Sequence, residues 1–423
     1  MGASVLTRLR LQAAALEGTT RRRIVVTAVS ARNRAKAEAL DLGEARWHDD
    51  PVALAQSPDI DLFVELMGGA GDPALAAVKA ALGAGKAVVT ANKALLAAHG
   101  MELATLAEER RAPLGFEASV AGGIPVVKTL REGLAGNVID RVYGILNGTC
   151  NYILSRMELE GLSFEACLTE AQNLGYAEAD PTFDIDGFDT AHKLAILSTL
   201  AFGTAIAADA IHVEGIRTIS LADIRAADEL GFRIKLLGVA QRVKDGIEGR
   251  VHPTMVPKSS AIAQVMGVTN AVTVDADAVR ELTLIGPGAG GEATASAVVA
   301  DIADIARGVR SAPFGRPVAS LVPTAPLPLQ RHEGGYYVRL NVADRPGAVA
   351  AIASRMAERG ISFESIMQRQ PFTKSPEAAS VRAVPVVLIT YATTEAVIRQ
   401  AIDAIMADGW VTGRPQSIRI ERE

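Results

Sequence analysis

Four short apolar runs punctuate the first 125 residues: Ile24–Val29, Ile60–Leu66, Ala87–Thr90 and Leu114–Glu117. Helix patterns lie between them, near Pro51–Ala55, Pro73–Leu82 and Lys93–Arg111. A strand returns beside its predecessor in the parallel sense only through a crossover of about a dozen residues or more. This alternation therefore predicts an open parallel sheet with helices on its faces. The rhythm opens on a helix: Ser4–Leu16 is amphipathic, with Val5, Leu6, Leu9 and Leu16 apolar, and Met1-Gly2 stands at its head. In a dinucleotide-binding sheet this is the pattern of the first helix, and a strand and glycine loop would come before it. The expectation is a doubly wound α/β sheet lacking its first strand, with Gly2 in the place of the loop's final glycine.

That strand would be central and buried on both faces. Its roughly four or five aliphatic side chains would carry about 6–15 kcal/mol at about 1.5–3 kcal/mol each. A whole domain is stable by about 5–15 kcal/mol. The coding sequence upstream is accordingly expected to encode, in frame, an apolar strand ending in Gly-x-Gly. This polypeptide is expected to hold a dinucleotide weakly, and micromolar affinity in a titration would refute that.

The 423 residues suffice for about three domains. With 49% hydrophobic and 22% charged residues, the balance is that of a globular protein with ample core. Net charge −5 and 4% aromatic residues disfavour nucleic acid, which needs a basic footprint and stacking surfaces. No apolar run has the length of a membrane span. Ser4–Leu16, with Arg8 and Arg10, lacks the unbroken apolar stretch and cleavage site of a targeting peptide. Cys150 and Cys167 lack metal-ligand spacing and fit a reducing compartment, so a cytoplasmic location is expected. His48, His99, His192, His212, His252 and His332 are scattered, with no zinc-type cluster, and structural roles are expected for them.

Residues 126–312 read as a second, α+β unit. Helix patterns at Asn151–Glu160, Ser163–Leu174, Asp189–Phe202 and Leu221–Lys235 accompany strand runs at Asp140–Ile145, Gly238–Val243 and Ala271–Val274. A further helix, Ala297–Gly308, is expected to return to the first unit, residues 1–125. Residues 313–332 form a linker, because Pro313, Pro317, Pro323, Pro326 and Pro328 cannot continue a helix or a central strand. Residues 333–423 then run β-α-β-β-α-β: Tyr336–Val342, a helix closing at Gly360, Ile361–Gln368, Val384–Tyr391, Thr394–Asp408 and Ser417–Glu421. That is the ferredoxin-like order.

Chemistry concentrates in Gly175–Lys193, where Glu178, Asp180, Asp184, Asp186 and Asp189 precede one lysine. Asp186 suits the N-cap of the next helix. Asp189 and Lys193 then fall at i,i+4 on one face. Leu194–Leu197 follow at once, so the lysine stem is expected to be partly buried. A surface ion pair at a helix start has the same spacing. The alternative is a polar site in which acids hold an ammonium group and Lys193 transfers a proton.

Thr90-Ala-Asn-Lys93 lies at the carboxyl end of a strand, where ligands of open α/β sheets bind. Lys93 also opens a helix, where a cation is mildly unfavourable. Gly286–Ser296 is glycine-rich and precedes a helix, as either an anion site or a tight turn. Phe116–Pro125 joins the first two units, as a ligand-bearing seam or a hinge. Leu146–Tyr152 is a strand end and turn with a helix cap near Thr149. Cys150 has no basic neighbour and reads as packing.

Taken together, ELMGG, VVTANKALLA, FEASVAGGIPVVKTLREGLAGN, GILNGTCNYIL, AQNLGYAEADPTFDIDGFDTAHKLAIL, VHPTMVP and GPGAGGEATASAVVADIADIARG resemble the homoserine dehydrogenase family, over about residues 2–310. The tail at 333–421 resembles an ACT domain, a small regulatory module that binds amino acids. The resemblance implies NAD(P)H-dependent interconversion of L-aspartate 4-semialdehyde and L-homoserine, on the branch toward threonine and methionine. It implies Lys193 as proton donor, Asp189 as its partner and Lys93 between cofactor and substrate. Glu178 would receive the substrate ammonium, with Asp184, Thr149 and Tyr176 in the same subsite. Gly2, Arg32, Thr90, Lys93, Gly175 and Gly290 would contact the cofactor. Glu117, Val120, Gly122 and Ile124 would hold Na⁺ or K⁺ through carbonyls and one carboxylate. A homo-dimer or homo-tetramer is expected.

Ser30-Ala-Arg32-Asn-Arg34 closes the second strand with two arginines and no carboxylate. A carboxylate there would read a ribose 2′-OH, so NADPH is expected over NADH. The Asp344–Gly347 turn offers N–H groups at a helix start to an effector carboxylate, with threonine expected; pure dimerisation through the sheet is the alternative. A non-catalytic amino-acid-binding or oligomerisation protein derived from the family is the competing function, opposed by the intact Glu178, Asp189, Lys193 and Lys93. A phosphoglycerate dehydrogenase would need a catalytic His–acid pair, which is not evident.

Overall fold

The computed structural model describes residues 1–423 except 39, 41, 324–332, 369–382 and 422–423. Pro326, Pro328 and His332 thus lie outside the described residues. The chain opens on two helices, α1 (Gly2–Leu11) and α2 (Ala13–Thr20), rather than one. The break is at Gln12, whose φ is −104° and ψ 10°. Of the apolar face foreseen for this stretch, Val5 is buried and Leu6, Leu9 and Leu16 are half-buried; Val5, Leu9 and Leu16 pack with Ala295, Val298 and Ile302.

β1 (Ala28–Val29) is shorter than its apolar run, since only these residues find ladder partners. α3 (Arg34–Glu38) follows, then β2 (Arg46–Trp47), which supplies those partners. Neither α3 nor β2 shows an apolar period in the sequence. α4 (Pro51–Gln56) is capped by Asp50, which accepts from the Val52 and Ala53 N–H groups. β3 (Leu62–Glu65), α5 (Ala74–Gly83), β4 (Ala87–Thr90), α6 (Lys93–Arg110) and β5 (Leu114–Gly115) complete the alternation. β3, β4 and β5 pair in parallel, while β1 and β2 form a separate parallel pair. β4 is covered on both faces. Val88 shares a core with Leu82, Leu95 and Leu96, and Val89 with Val298 and Ile302. The strand expected over Leu114–Glu117 stops at Gly115, and Glu117–Ser119 instead form a 3-10 turn.

α7 (Val126–Lys128) leads into β6 (Ile139–Ile145), α8 (Gly148–Glu160), α9 (Phe164–Asn173), α10 (Thr182–Ile185), α11 (Phe188–Phe202), β7 (His212–Val213) and α12 (Leu221–Glu229). The helix expected to reach Lys235 ends at Glu229. Gly231, at φ +82°, turns the chain, and Phe232–Lys235 begin β8 (Phe232–Val243). β9 (Gly246–Pro257) pairs with β8 along its whole length. Pro253 and Pro257 disguise it, since proline is rare inside sheets. β10 (Thr269–Ala276) and β11 (Arg280–Pro287) form an edge hairpin, and α13 (Gly291–Arg307) follows. α13 starts at Gly291, not Ala297, so half of the glycine-rich stretch is helix. Its buried face joins α1 and β4.

The C-terminal region runs β12 (Glu333–Ala343), α14 (Ala348–Ala357), β13 (Phe363–Gln368), β14 (Ala383–Thr390), β15 (Thr393–Thr394), α15 (Glu395–Ala407) and β16 (Val411–Ile420). Its sheet order is β16-β12-β14-β13, the ferredoxin-like arrangement. Alternation along β12 sorts its side chains. Tyr336, Val338 and Leu340 face Ile352, Met356 and Ile398 of the helices, while Tyr337 joins the core of the middle region. β16 also pairs in parallel with β9, Arg419 with Thr254 and Ile420 with Met255. One sheet therefore runs β11-β10-β6-β8-β9-β16-β12-β14-β13 across both regions. Among the described residues, no helix is long and apolar enough to cross a membrane.

Candidate active site

Lys93, the first residue of α6, projects from the carboxyl end of β4 and meets the first turn of α11. Its Nζ lies 3.0 Å from Asp189 Oδ1. One turn on, Lys193 Nζ donates to Asp189 Oδ2 at 2.8 Å and to Leu146 O at 2.7 Å. Asp189 is 3% exposed, so this is no surface pair. Asn147 Nδ2 donates to Asp189 Oδ2 at 2.8 Å and to Asp184 Oδ1 at 2.9 Å, bringing the second acid into the cluster.

Burial alone would raise the Asp189 pKa, but Lys193 and Lys93 hold it well below the usual carboxylate range. Burial works against the charge of Lys93, and Asp189, with Asp184 and Glu178 beyond it, more than offsets this: its pKa lies above the usual lysine value. Burial and the Asp189 charge push the Asp184 carboxyl above its usual range. Two cations and three carboxylates thus face one another across the seam between the first two regions.

Glu178 is exposed, near enough to act on the Lys93 charge. Tyr176 is exposed, its ring 5.1 Å edge-on from Tyr152, and Thr149 Oγ1 donates to Tyr176 O at 2.6 Å. Thr149 therefore braces the loop that carries Glu178. The helix cap placed near Thr149 belongs to Asn147, whose Oδ1 accepts from Cys150 N. Asp186 does not cap α11 either: Gly187, at φ +92°, holds that position, and Asp186 pairs with Arg217 instead. Burial pushes the Cys150 thiol up, in keeping with packing.

The cofactor candidates divide. Thr90 is fully buried and donates to Glu65 Oε2 at 2.6 Å, so its side chain is spent inside the protein. Glu65 Oε1 accepts from Met67 and Gly68 N–H, fixing the turn that follows β3. Gly68, Gly69, Gly175 and Gly290 all have positive φ and open space where a Cβ would stand, so a ligand can approach their backbone. Gly290 caps α13, and a Cβ on its neighbour Gly291 would lie 2.5 Å from Ser4 Oγ; the starts of α13 and α1, where Gly2 sits, are adjacent. Arg32 is exposed in the loop past β1, and Arg34 lies over the Trp47 ring at 5.3 Å. These glycines and exposed arginine suit a dinucleotide.

Glu117 is 2% exposed, and its carboxylate accepts from Val127 and Lys128 N–H at 2.8 Å each. Burial pushes its pKa up to about 7. Ala121 and Gly122 are both left-handed, folding Val120–Ile124 back beside it against Gly288. A buried carboxylate with backbone carbonyls is a hard-oxygen donor set that suits a monovalent cation. Among the described residues, no group of three His, Cys, Asp or Glu is placed for a metal.

Three contributors were not foreseen in the sequence: Asn147, Glu65 and Asn92. Asn92 caps α6 and donates to Gly69 O at 2.7 Å, tying the loops after β3 and β4 together. Asn92 and Asn147 each lie between a strand end and a helix start, and Glu65 is the last residue of β3; those positions were the available signal.

Comparison with known proteins gives the family that the chain resembles. Residues 1–117 match the family model described as "Homoserine dehydrogenase, NAD binding domain", and residues 125–303 the model described as "Homoserine dehydrogenase". A homoserine dehydrogenase of Pseudomonas aeruginosa is 44% identical over 388 residues, covering 90% of this chain and 88% of its own. The crystal structure of a homoserine dehydrogenase from Thiobacillus denitrificans superposes with a TM-score of 0.92 at 43% identity, covering 99% of this chain and 95% of that one. A hyperthermophilic archaeal homoserine dehydrogenase, solved in complex with NADPH, matches 64% of this chain and 80% of its own, with a TM-score of 0.55 at 30% identity.

Proposed function

The chain belongs to the homoserine dehydrogenase family, an oxidoreductase family with an NAD(P)-binding Rossmann-like domain, and from that premise we propose how its residues divide the work. Lys193 protonates the carbonyl oxygen of L-aspartate 4-semialdehyde. The observation that carries this reading is the donor count at its Nζ. Of three N–H donors, Leu146 O and Asp189 Oδ2 take two, and among the described residues the third is left for a substrate oxygen.

Bound NAD(P)H supplies the hydride to the carbonyl carbon. Asp189 accepts from Lys193 Nζ at 2.8 Å and aims it. In the reverse direction Lys193 takes the hydroxyl proton of L-homoserine. Lys93 stands on the cofactor side of Asp189 and keeps that carboxylate ionised. Glu178 and Asp184 receive the substrate ammonium, while Tyr176 and Thr149 set the loop that carries Glu178.

Gly2, Arg32, Gly175, Gly290 and the backbone at Thr90 line the cofactor path, and Glu117, Val120, Gly122 and Ile124 hold Na⁺ or K⁺. The sequence Ser30–Arg34, with two arginines and no acidic residue, supports NADPH over NADH, as does the relative solved with NADPH. Residues 1–125, with α13, serve the dinucleotide; 126–312 serve the substrate and a homo-dimer or homo-tetramer; 313–332 link; 333–423 form an ACT-like regulatory unit. A cavity of about 350 Å³ at the β12–α14 turn, lined by Asp344, Gly347, Ala348 and Gln368, supports an amino-acid effector there, threonine on this reading. The product feeds threonine and methionine synthesis in the cytoplasm.

Lys193→Met is expected to lower kcat by about 10²–10⁴-fold with little change in aldehyde KM. An unchanged kcat would overturn the assignment. A clear kcat/KM preference for NADH would remove the NADPH reading. Activity flat against added threonine would leave the C-terminal unit a dimerisation module.

A further inference from the structure

One carboxylate joins the C-terminal unit to the acidic loop. Glu214 follows β7, where Arg419 of β16 and Arg399 of α15 converge. Arg419 Nη1 donates to Glu214 Oε2 at 2.8 Å and Nη2 to Oε1 at 3.2 Å; Arg399 Nη2 donates to Oε1 at 3.4 Å. His212 Nε2 lies 2.8 Å from the same Oε1. Arg419 is 3% exposed, and it also donates from Nε and Nη2 to buried Glu395, the first residue of α15. Glu214 is therefore held from the C-terminal side by a buried, bidentate arginine.

The Glu214 N–H donates to Val251 O of β9 at 2.7 Å, and the two residues after it are locked to the loop that carries Asp184. Ile216 N–H donates to Ile185 O at 2.9 Å. A Cβ at Gly215 would stand 2.3 Å from Ile185 O and 2.4 Å from Asp186 Cα, and one at Gly187 would stand 3.0 Å from Val213 Cγ1. These approaches leave no slack between the two segments. Arg217 pairs with Asp186 and donates to Thr182 Oγ1 at 3.1 Å. Asp184 lies inside the clamped stretch and Asp189 immediately after it.

We propose that Glu214 is a positioning residue for substrate binding. Gripped by Arg419 and Arg399, it presses Val213–Arg217 against Thr182–Gly187 and sets where Asp184 stands relative to Asp189. The C-terminal unit thereby supports the ammonium subsite without touching the substrate. This rests on Asp184 and Glu178 being the receivers of that ammonium group.

Glu214→Gln keeps the size and removes the charge. The homoserine KM is expected to rise about 5- to 20-fold, with kcat and the cofactor KM within about 2-fold, because misplacing a binding group weakens its contact. Arg419→Lys, whose single ammonium cannot reproduce the bidentate fork on Glu214 and Glu395, should give a smaller rise in the same parameter. A homoserine KM left unchanged in Glu214→Gln overturns the proposal, as does a joint shift of all three parameters. Where Glu214→Gln does not fold, Arg399→Gln, on the exposed side, carries the test: a rise of about 2- to 3-fold is expected for one charge-assisted contact, and no rise overturns the role. Asp184→Asn separates the two readings. If it leaves the homoserine KM unchanged, the subsite assignment fails; if it raises KM while Glu214→Gln does not, only the positioning role fails.

Discussion

Asp189→Asn is the sharpest test of the site, because one carboxylate serves three donors. Oδ2 accepts from Lys193 and Asn147, and Oδ1 faces Lys93 at 3.0 Å. An asparagine has one oxygen. Turned toward Lys193 and Asn147, it points its NH₂ at the Lys93 ammonium; turned toward Lys93, it opposes two donors. The first orientation is cheaper, since Lys93 is partly exposed and can swing to water. At about 3 Å and an effective dielectric near 20, each pair has a gross attraction of about 5 kcal/mol, most of it offset by desolvation. Breaking a buried pair costs about 3–5 kcal/mol, and discounting Lys93 leaves about 2–4 kcal/mol.

The pH dependence of that loss follows in sign. The depressed Asp189 pKa contributes stability present above the usual aspartate value and lost as pH falls through the lowered one. The raised Lys93 pKa contributes stability below the usual lysine value, lost as pH rises through the raised one. The difference between native chain and variant should therefore be flat from about pH 5 to 9 and shrink in strong acid. Urea titrations give the stability, and the absorbance of the reduced nicotinamide gives the rate. A kcat reduced by about 10²–10³-fold is expected, from a misaimed Lys193. A variant as stable as the native chain, with kcat within about 3-fold, would refute the reasoning, because no charge network of this strength could then exist.

Asn147→Ala removes the α8 cap, about 1 kcal/mol, and takes away the donor that Asp184 and Asp189 share. A total loss of about 2–4 kcal/mol in urea titration, with a raised homoserine KM, is expected; a neutral variant would deny Asn147 its bridging part. Glu117, with its pKa raised to about 7, takes up a proton on folding. Stability without a cation should fall by about 3 kcal/mol as pH rises from the usual glutamate value to 7. Glu117→Gln should lose that slope, and KCl should flatten it in the native chain when compared with a bulky ammonium salt. An equal slope in both salts would argue against a cation site.

The sequence announced what is local. Helix periods in α5, α6, α9 and α11 are written by residues three and four apart, and the Asp189–Lys193 spacing belongs to that class. It could not tell a surface pair from a buried one, because burial comes from Lys93 and Leu146, which belong to other elements. Hydrogen-bond competition misled the caps. Asp186 and Thr149 are good cap residues, but Arg217 takes the first and Tyr176 O the second, leaving the posts to Gly187 and Asn147. The Phe232–Lys235 segment carries apolar residues compatible with either period, and its long-range partner β9 decides for strand.

Arg419 and Ile420 complete a ladder on β9, and Arg419 also grips Glu214. The C-terminal region is therefore not an exchangeable module hung from a proline-rich tether. A transplanted unit of the same topology would need a last strand that ends in register on Thr254 and Met255, with an arginine at the penultimate paired position. Grafts chosen by domain boundaries alone would leave β9 an open edge and Glu214 without its partner, and the damage would surface at the substrate rather than at the graft.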